Sequence, residues 1–364
     1  MNFKYTIKYS LLRNSVFILS FIYLTNSLMA AEGDSLFKSD KIIRMELRSD
    51  FSAIQKDRAE NPEYHDGELI YYSSNSEPTR LSVRVIARGN FRRNPVNCNF
   101  PPLLLNFKKN EVRNTIFNNQ DKLKLVTPCH LEEDLIEEYI IYKMYNQVTD
   151  LSMKVRLVKI LYFDTSLNKK IFEKFSFFIE DKDHVAERNN AVAKDRFLTP
   201  FDLNKDNLKK LSVFQYLIGN KDWFISSRKN IEIMQPEDSS MGLYAVPYDF
   251  DFSGFVNAEY TKPRGIPENL LTDRRHYRGI CFTDDEFKEI FEFYRELKPA
   301  FDSIIKNQKL IPNYNKKQIL KYIDSFYTLS ENSDLIKQEF LAGCETRQDY
   351  NIADKEGYQR ISSR

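Results

Sequence analysis

The pattern of hydrophobic and polar residues changes character near the middle of the chain. In the first half, short segments with a two-residue period predict strands near 42–47, 69–72, 81–87, 103–107, 123–126, 154–163 and 172–180. A short helix is predicted from Asp50 to Arg58, with Asp50 as its cap. One longer segment, 131–148, has its hydrophobic residues at helical spacing. We therefore expect a mostly β first half with one central helix.

The second half has fewer strand patterns and more helical ones. Residues 208–218 predict an apolar helix that ends at Gly219 and Asn220, a pair typical of a helix C-cap. Further patterns predict strands near 230–234 and 243–247 and helices near 284–296 and 316–342. These patterns predict an α+β fold with two lobes, a β-rich N-lobe over 31–180 and a mainly helical C-lobe over 181–364.

Residues 1–30 are typical of a secretory signal peptide. Lys4, Lys8 and Arg13 precede an apolar run, and the small residues Ala30 and Ala31 suit cleavage. Polar residues interrupt the run before it reaches the ~20 apolar residues that a membrane helix needs. We expect export to the periplasm, the cell envelope or the medium, with no membrane span after the signal is cleaved.

Glycine, histidine and charge exclude several classes of protein. The closest two of the 10 glycines, Gly254 and Gly265, are 11 positions apart, which excludes dinucleotide-binding loops, the Walker P-loop and the GxSxG elbow. The four histidines are too widely separated for an HExxH or zinc-finger pair. The 54 basic and 52 acidic residues nearly cancel, and three basic residues lie in the predicted signal peptide. Net charge therefore gives no support for nucleic-acid binding.

The four cysteines are an even number, which fits two disulfides in an oxidising compartment. Sequence leaves three pairings open. We favour Cys98–Cys129 with Cys281–Cys344, because each pair then lies within one half of the chain. The absence of a CxxC spacing argues against a zinc site or thioredoxin chemistry. Free buried cysteines are the alternative.

The densest candidate chemistry lies within 219–254. Asp249 and Asp251 follow a predicted strand two positions apart, so both carboxylates are expected on the same side. With the amide oxygen of Asn230 they form an oxygen ligand set suited to Mg²⁺ or Mn²⁺. Asp222 follows the predicted helix end, and phosphotransferases place a catalytic Asp, a metal-binding Asn and a metal-binding Asp around a triphosphate in this order. The alternative is that Asp249 and Asp251 are turn residues.

Seven short motifs carry a resemblance to a known family that runs from about residue 44 to residue 281. They are RGNFRR at 88–93, FPPL at 100–103, LKLV at 123–126, EY at 138–139, FIED at 178–181, GNKDW at 219–223 and VPYDFD at 246–251. With these motifs the sequence resembles the CotH-like atypical kinases, the family of the spore-coat kinase. It is more similar still to an exported bacterial branch of that family whose role is unassigned.

The resemblance implies a bilobal atypical protein-kinase-like fold that binds ATP, or another nucleotide, with Mg²⁺ or Mn²⁺. By the same resemblance Asp222 is the catalytic residue, and Asn230 is a metal ligand. Asp249 is the main metal ligand, and Asp251 supports it. The expected acceptor is a hydroxyl of an unidentified protein or small molecule.

The nucleotide side of the expected site is less regular. Related kinases hold phosphates with a strand lysine that is paired to a helix glutamate, but the strand that carries this lysine in CotH-like sequences has none here. Lys124 is the substitute, with Glu138, or else Glu137, as its partner. Arg88 and Arg93 are expected to contact phosphates from the loop that they flank. The alternative makes all of these residues ordinary surface charges.

Two weaker candidates complete the set. Glu180 and Asp181 end a predicted strand where a kinase hinge would contact adenine, and the basic stretch 274–278 could bind a phosphorylated acceptor. The alternative is that the first segment is an ordinary strand end and the second a solvated surface. The leading hypothesis is an exported kinase, and the main alternative is a catalytically inactive pseudokinase that acts as a cell-envelope or surface binding protein. A metal-dependent phosphohydrolase is a third option.

Overall fold

Among its described residues, the first half of the chain forms seven strands. The computed structural model describes residues 36–72, 77–196, 198–262 and 275–350, so the predicted signal peptide lies outside the described residues. The strands are β1 (Ile43–Ser49), β2 (His65–Tyr71), β3 (Thr79–Ala87), β4 (Leu103–Phe107), β5 (Lys122–Val126), β6 (Val155–Asp164) and β7 (Lys169–Ile179). Each of the seven predicted strand segments is present, with bounds shifted by a few residues.

The seven strands close into a barrel in the order β1-β2-β3-β4-β5-β7-β6. Neighbouring strands are antiparallel except for β1 and β6, whose parallel pairing closes the barrel. A closed barrel differs from the kinase-like N-lobe that the resemblance implied. The pairing that makes the difference joins Ile43 to Val158, residues far apart in sequence. A two-residue hydrophobic period predicts strands but does not specify such a partner.

A short helix, α1 (Phe51–Lys56), adds apolar residues to the barrel core. Asp50 caps it as predicted, since its Oδ1 accepts a hydrogen bond from the backbone N–H of Ala53 at 2.8 Å. The buried side chains of Phe51 and Ile54 pack into the barrel. The helix ends two residues before the predicted Arg58.

The predicted central helix is α2 (Glu132–Val148), and it lies between the barrel and the rest of the chain. Most of its residues are buried, since it packs against the outer surface of β6 and β7 and also against helices of the second half. Its apolar side chains belong to the second hydrophobic core, which is distinct from the core inside the barrel. Residues on α2 can therefore contact both halves.

The second half contains a three-stranded sheet and five helices among the described residues. The elements are α3 (Lys182–Arg188), β8 (Ala191–Ala193), α4 (Lys205–Ile218), β9 (Ile231–Pro236), β10 (Tyr244–Pro247), α5 (Asp284–Asn307), α6 (Asn313–Ser330) and α7 (Ser333–Ile336). The sheet order is β10-β9-β8, with antiparallel pairing. The sequence patterns did not predict α3 and β8, and the single helix expected over 316–342 is divided near Glu331.

Both disulfides of the favoured pairing are present. Cys98–Cys129 and Cys281–Cys344 have Cα–Cα distances of 4.8 and 4.9 Å, and the described residues include no free cysteine. Two disulfides are typical of proteins in an oxidising compartment. Within the described ranges, no helix is long and apolar enough to cross a membrane.

Candidate active site

A cleft of about 330 Å³ lies where the barrel meets the second half of the chain. From the barrel side, Arg88 and Arg92 line it. From the opposite side, Asp222, Asp249 and Asp251 line it. The three aspartates that were singled out from spacing thus face one cavity together with two cationic side chains.

The end of α4 positions Asp222. Gly219 has a left-handed backbone with φ +64°, as expected for the residue that ends a helix. The side-chain oxygen of Asn220 then accepts a hydrogen bond from the Asp222 backbone N–H at 2.9 Å. The backbone N–H of Gly254 donates to the Gly219 carbonyl at 3.0 Å. That bond fixes the segment that follows Asp251 beside the segment that precedes Asp222.

Asn230 and Lys229 both contact Asp222. The Asn230 amide nitrogen donates to the backbone carbonyl of Asp222 at 2.7 Å and to its Oδ2 at 3.1 Å. Lys229 forms an ion pair with the Asp222 carboxylate. Asn230 therefore orients the expected catalytic carboxylate of Asp222. Because these bonds use the amide nitrogen of Asn230, its amide oxygen is the atom able to coordinate a cation. Its role as a metal ligand stays a prediction.

The route by which Asp249 and Asp251 reach the cleft differs from the expected one. Strand β10 ends at Pro247, and Asp249 has φ +62°, so a turn rather than strand alternation brings both carboxylates to the same cleft. The backbone N–H of Asp249 donates to the Tyr142 hydroxyl at 2.8 Å. The Tyr260 hydroxyl donates to Asp251 Oδ2 at 3.0 Å. Two tyrosines therefore hold the turn that presents both carboxylates.

Three carboxylates are crowded at this turn, and two of them, those of Asp251 and Glu138, are buried. Asp251 is 3% exposed, and burial together with the charge of Asp249 raises its pKa to about 7. Glu138, on α2, is 2% exposed, and burial followed by the charges of Asp251 and Asp249 raises its pKa well above the ordinary value. Among the described residues, its Oε1 atom has no hydrogen-bond partner. Arg92 offsets these charges only in part.

This surplus of carboxylate oxygen fits a divalent cation. No three Asp, Glu, His or Cys side chains of the described part of the chain converge as a complete protein cage. Mg²⁺, however, is usually held by one or two carboxylates, with water and substrate phosphates as its remaining ligands. Asp249 and Asp251 supply such a partial set, and the unpartnered Glu138 oxygen lies beside them.

The loop after β3 contributes arginines, although not both of the predicted ones. Arg88 lines the cleft as expected, and Arg92 lines it in place of Arg93. Arg93 instead donates to the backbone carbonyl of Ala59 at 2.9 Å, near the end of α1. Residues 88–93 form turns without a regular period, so sequence could not tell which arginine faces inward. The expectation for Arg93 is corrected to Arg92.

The expected pair of Lys124 and Glu138 does not form. The Lys124 ammonium lies 3.8 Å from Glu232 on β9 and 4.7 Å from the ring centre of Tyr248. Burial, and then the charge of Arg88, lowers the pKa of Lys124. The pair is absent because β5 directs Lys124 toward β9, whereas α2 presents Glu138 to the turn at Asp249.

The remaining candidates on the nucleotide side, Glu137, Glu180 and Asp181, contact other parts of the fold. Glu137, the alternative partner of Lys124, accepts a hydrogen bond from Asn315 of α6 at 2.9 Å. Glu180 is buried and accepts hydrogen bonds from Arg188, and the adjacent Asp181 caps α3. These contacts fit the Glu180–Asp181 pair as a strand end and helix start. A backbone contact of this pair with adenine stays a prediction.

Sequence reasoning missed three residues that shape the cleft. Tyr142 lies four positions after Glu138, and this spacing could have placed both on the same helix face. Lys229 immediately precedes Asn230 and was overlooked as an ordinary charge. Tyr260 lies in a segment without periodicity, so no sequence signal indicated it.

No protein-family model matches the sequence, and no curated protein matches it. Among solved structures, the crystal structure of the Helicobacter pylori proinflammatory kinase CtkA is similar to this chain. The similarity covers 62% of this chain and 90% of the CtkA chain. The identity is 12% and the TM-score is 0.37. A similarity at this level carries no argument about function, which rests on the residues of the cleft.

Proposed function

We propose that this protein is an exported, CotH-like phosphotransferase. It transfers the γ-phosphoryl group of metal-bound ATP, or of another nucleotide, to a hydroxyl of a protein or small molecule. The observation that supports this most is that Asp222, Asp249 and Asp251 line one cleft opposite Arg88 and Arg92. Export is supported by the leader pattern of residues 1–30 and by two disulfides.

The proposed reaction uses residues in complementary positions. Asp222, oriented by Asn230, accepts the proton of the acceptor hydroxyl while that oxygen bonds to the γ-phosphorus. The bond from phosphorus to the bridging oxygen breaks, and the nucleoside diphosphate leaves with that electron pair. Arg88 and Arg92 bind phosphate oxygens. Asp249 and Asp251 would hold Mg²⁺ or Mn²⁺, which neutralises phosphate charge when bound.

A second candidate is supported by the contacts of Lys124 and Asp222. Lys124 is paired with Glu232 instead of Glu138, and Asp222 is paired with Lys229. A pseudokinase would retain the cleft and bind a nucleotide, or a partner at the cell envelope or surface, without transferring phosphate. Because Lys229 is a half-exposed side chain on the cleft wall, a nucleotide phosphate could equally draw it away from Asp222.

Thermal melting with metal–nucleotide complexes tests both candidates. The purified protein and its Asp249→Ala variant would be melted with and without MgATP and MnATP, since a ligand specific for the folded state raises the melting temperature. We expect a shift for the wild type and a much smaller one for the variant. No shift with either complex would contradict nucleotide binding, and with it the kinase.

Transfer of labelled γ-phosphate then separates the kinase from the pseudokinase. We expect labelling by the wild type and none by Asp222→Ala. Retained nucleotide binding without labelling across a broad set of protein and small-molecule acceptors would favour the pseudokinase.

A further inference from the structure

We propose that the surface beside Asp222 binds an anionic acceptor, in the form of an acidic peptide whose hydroxyl residue is flanked by carboxylates. This acceptor surface consists of Lys221, Phe224, Lys229 and Arg278. The inference rests on the proposed function, because it names the acceptor class for the same site.

The acceptor surface is built on a hairpin that directly follows Asp222, and Arg278 packs against it. Phe224 and Lys229 exchange both backbone hydrogen bonds, at 3.1 and 3.0 Å. The side chains of Trp223 and Ile225 are buried on either side of Phe224 and anchor the hairpin. The Phe224 ring is nevertheless 42% exposed. An apolar ring is thus fixed at the surface two residues from the proposed catalytic base.

Arg278 is held against this hairpin by two contacts. Its guanidinium carbon lies 4.5 Å from the ring centre of Phe224, and its Nη1 donates to the Lys221 carbonyl at 2.7 Å. Among the described residues, no carboxylate lies within ion-pair distance of Arg278; burial lowers its pKa, and the more distant charges of Glu345 and Asp222 offset this only in part. The guanidinium is therefore oriented, and it keeps N–H groups that can bind a carboxylate in a bidentate manner.

The two neighbourhoods of Asp222 carry opposite charge. Toward α2 lie the carboxylates of Glu138, Asp249 and Asp251, which suit a cation. Toward the hairpin lie Arg278 and Lys229, of which Lys229 is paired with Asp222 itself. The nearby acid Asp195 is shared between Arg228 and Lys182. A lysine-rich acceptor would be repelled from this surface, and an acidic one attracted.

Asp222 links the acceptor surface to the transfer step. A carboxylate on Arg278 would place an adjacent serine or threonine hydroxyl near Asp222, since Arg278 contacts the residue immediately before it. The hydroxyl oxygen then bonds to the γ-phosphorus, its proton passes to Asp222, and the nucleoside diphosphate leaves. Acceptor selection by Arg278 and proton removal by Asp222 would thus take place side by side.

Two fluorescent peptides test the inference by anisotropy. Each has one serine, flanked by glutamates in one peptide and by lysines in the other. We expect the glutamate peptide to bind the wild type at least about tenfold more tightly, and Arg278→Glu to remove this preference. Arg80→Glu on β3 is the matched control, because Arg80 is exposed and pairs with Glu68 away from the cleft. Equal binding of the peptides, or preference for lysine, would overturn the inference.

Two further measurements keep the outcomes distinct. Arg278→Gln retains a donor for the Lys221 carbonyl and is expected to lose part of the preference even if Arg278→Glu folds poorly. The melting shift with MnATP is measured on the same samples. A glutamate preference without a nucleotide shift would retain the acceptor surface and overturn the proposed kinase. A melting shift with MnATP but no preference for the glutamate peptide would overturn the acceptor surface and leave the proposed kinase standing.

Discussion

Two buried aspartates in this protein have pKa values shifted in opposite directions. Asp164, at the end of β6, is 1% exposed, and burial alone would raise its pKa. Hydrogen bonds from Ser166, Ser52 and the Leu167 backbone nevertheless lower it to about 2. Asp251 in the cleft is 3% exposed, accepts one side-chain hydrogen bond from Tyr260, and has a pKa of about 7.

The difference separates a carboxylate whose partners belong to the fold from one that the fold leaves short of partners. Asp164 is surrounded by donors that belong to the fold, so its charge stabilises the barrel end without any ligand. Asp251 and the nearby Glu138 are buried with too few donors and beside another carboxylate, Asp249. Such destabilised groups are typical of functional sites, where the bound ligand supplies the missing interactions.

The largest expected effect is on catalysis. Asp222→Asn removes the proton acceptor, so phosphoryl transfer should fall by about 10³-fold, within the usual contribution of a general base. The nucleotide-induced melting shift should remain, since Asp249 and Asp251 are intact. Steady-state transfer rates measure the loss, and Asp206→Asn, at an exposed position on α4, is the matched control. Transfer at the wild-type rate would remove Asp222 from the mechanism.

The same substitution at the two compared aspartates should have opposite consequences. Asp164→Asn should lower the free energy of unfolding by about 2 kcal/mol, because the stabilised charge is lost, and should leave nucleotide binding intact. Asp251→Asn should leave the stability of the metal-free protein unchanged or raise it, because it removes a buried like charge, and should weaken metal–nucleotide binding. Denaturant unfolding and MnATP titration measure these effects. Equal destabilisation by both variants would contradict the comparison.

The stability contributed by Asp164 should depend on pH. Its folded pKa lies below the unfolded value, so the contribution is complete above about pH 4 and is lost as pH falls through about 2. The wild type should therefore be more stable than Asp164→Asn at pH 6, and the difference should shrink toward zero near pH 2. Urea unfolding at several pH values measures it. A constant difference would show that the charge of Asp164 is not the cause.

The smallest expected effect concerns the two arginines predicted from sequence. Arg88→Ala should raise the KM for the nucleotide about tenfold, as expected for the loss of one charge-assisted phosphate contact. Arg93→Ala should leave KM unchanged, because its side chain contacts Ala59 outside the cleft. Initial rates at varied nucleotide concentration measure both. A larger effect at Arg93 than at Arg88 would indicate that the loop rearranges when a nucleotide binds.

Local sequence patterns predicted most helices and strands but not the closure of the strands into a barrel. The alternation of buried and exposed residues in β3 and the end of α4 at Gly219 depend only on neighbouring residues, so both could be predicted from the sequence. The parallel pairing of β1 with β6 depends on residues more than a hundred positions apart, and no local period encodes it. The short helix α3 was missed because it has few buried residues to show a helical period.

Residues of the candidate site were likewise predicted correctly where their spacing along the sequence was the signal. Asp222, Asp249 and Asp251 were found because they cluster in sequence beside predicted element ends, and they line one cleft. The partner of Lys124 was predicted wrongly, since the choice between Glu138 and Glu232 depends on how α2 and β9 pack. Side-chain direction within the irregular loop 88–93 also depends on tertiary packing.

The central claim is that the carboxylate-rich turn holds a metal–nucleotide complex with Asp222 beside it. Anomalous X-ray diffraction from crystals grown with Mn²⁺ and a non-hydrolysable ATP analogue tests this directly. The account predicts a manganese peak at the carboxylates of Asp249 and Asp251, with the analogue's phosphates in the same cleft near Arg88. A manganese peak elsewhere with the analogue outside the cleft, or no binding of either at saturating concentration, would contradict it.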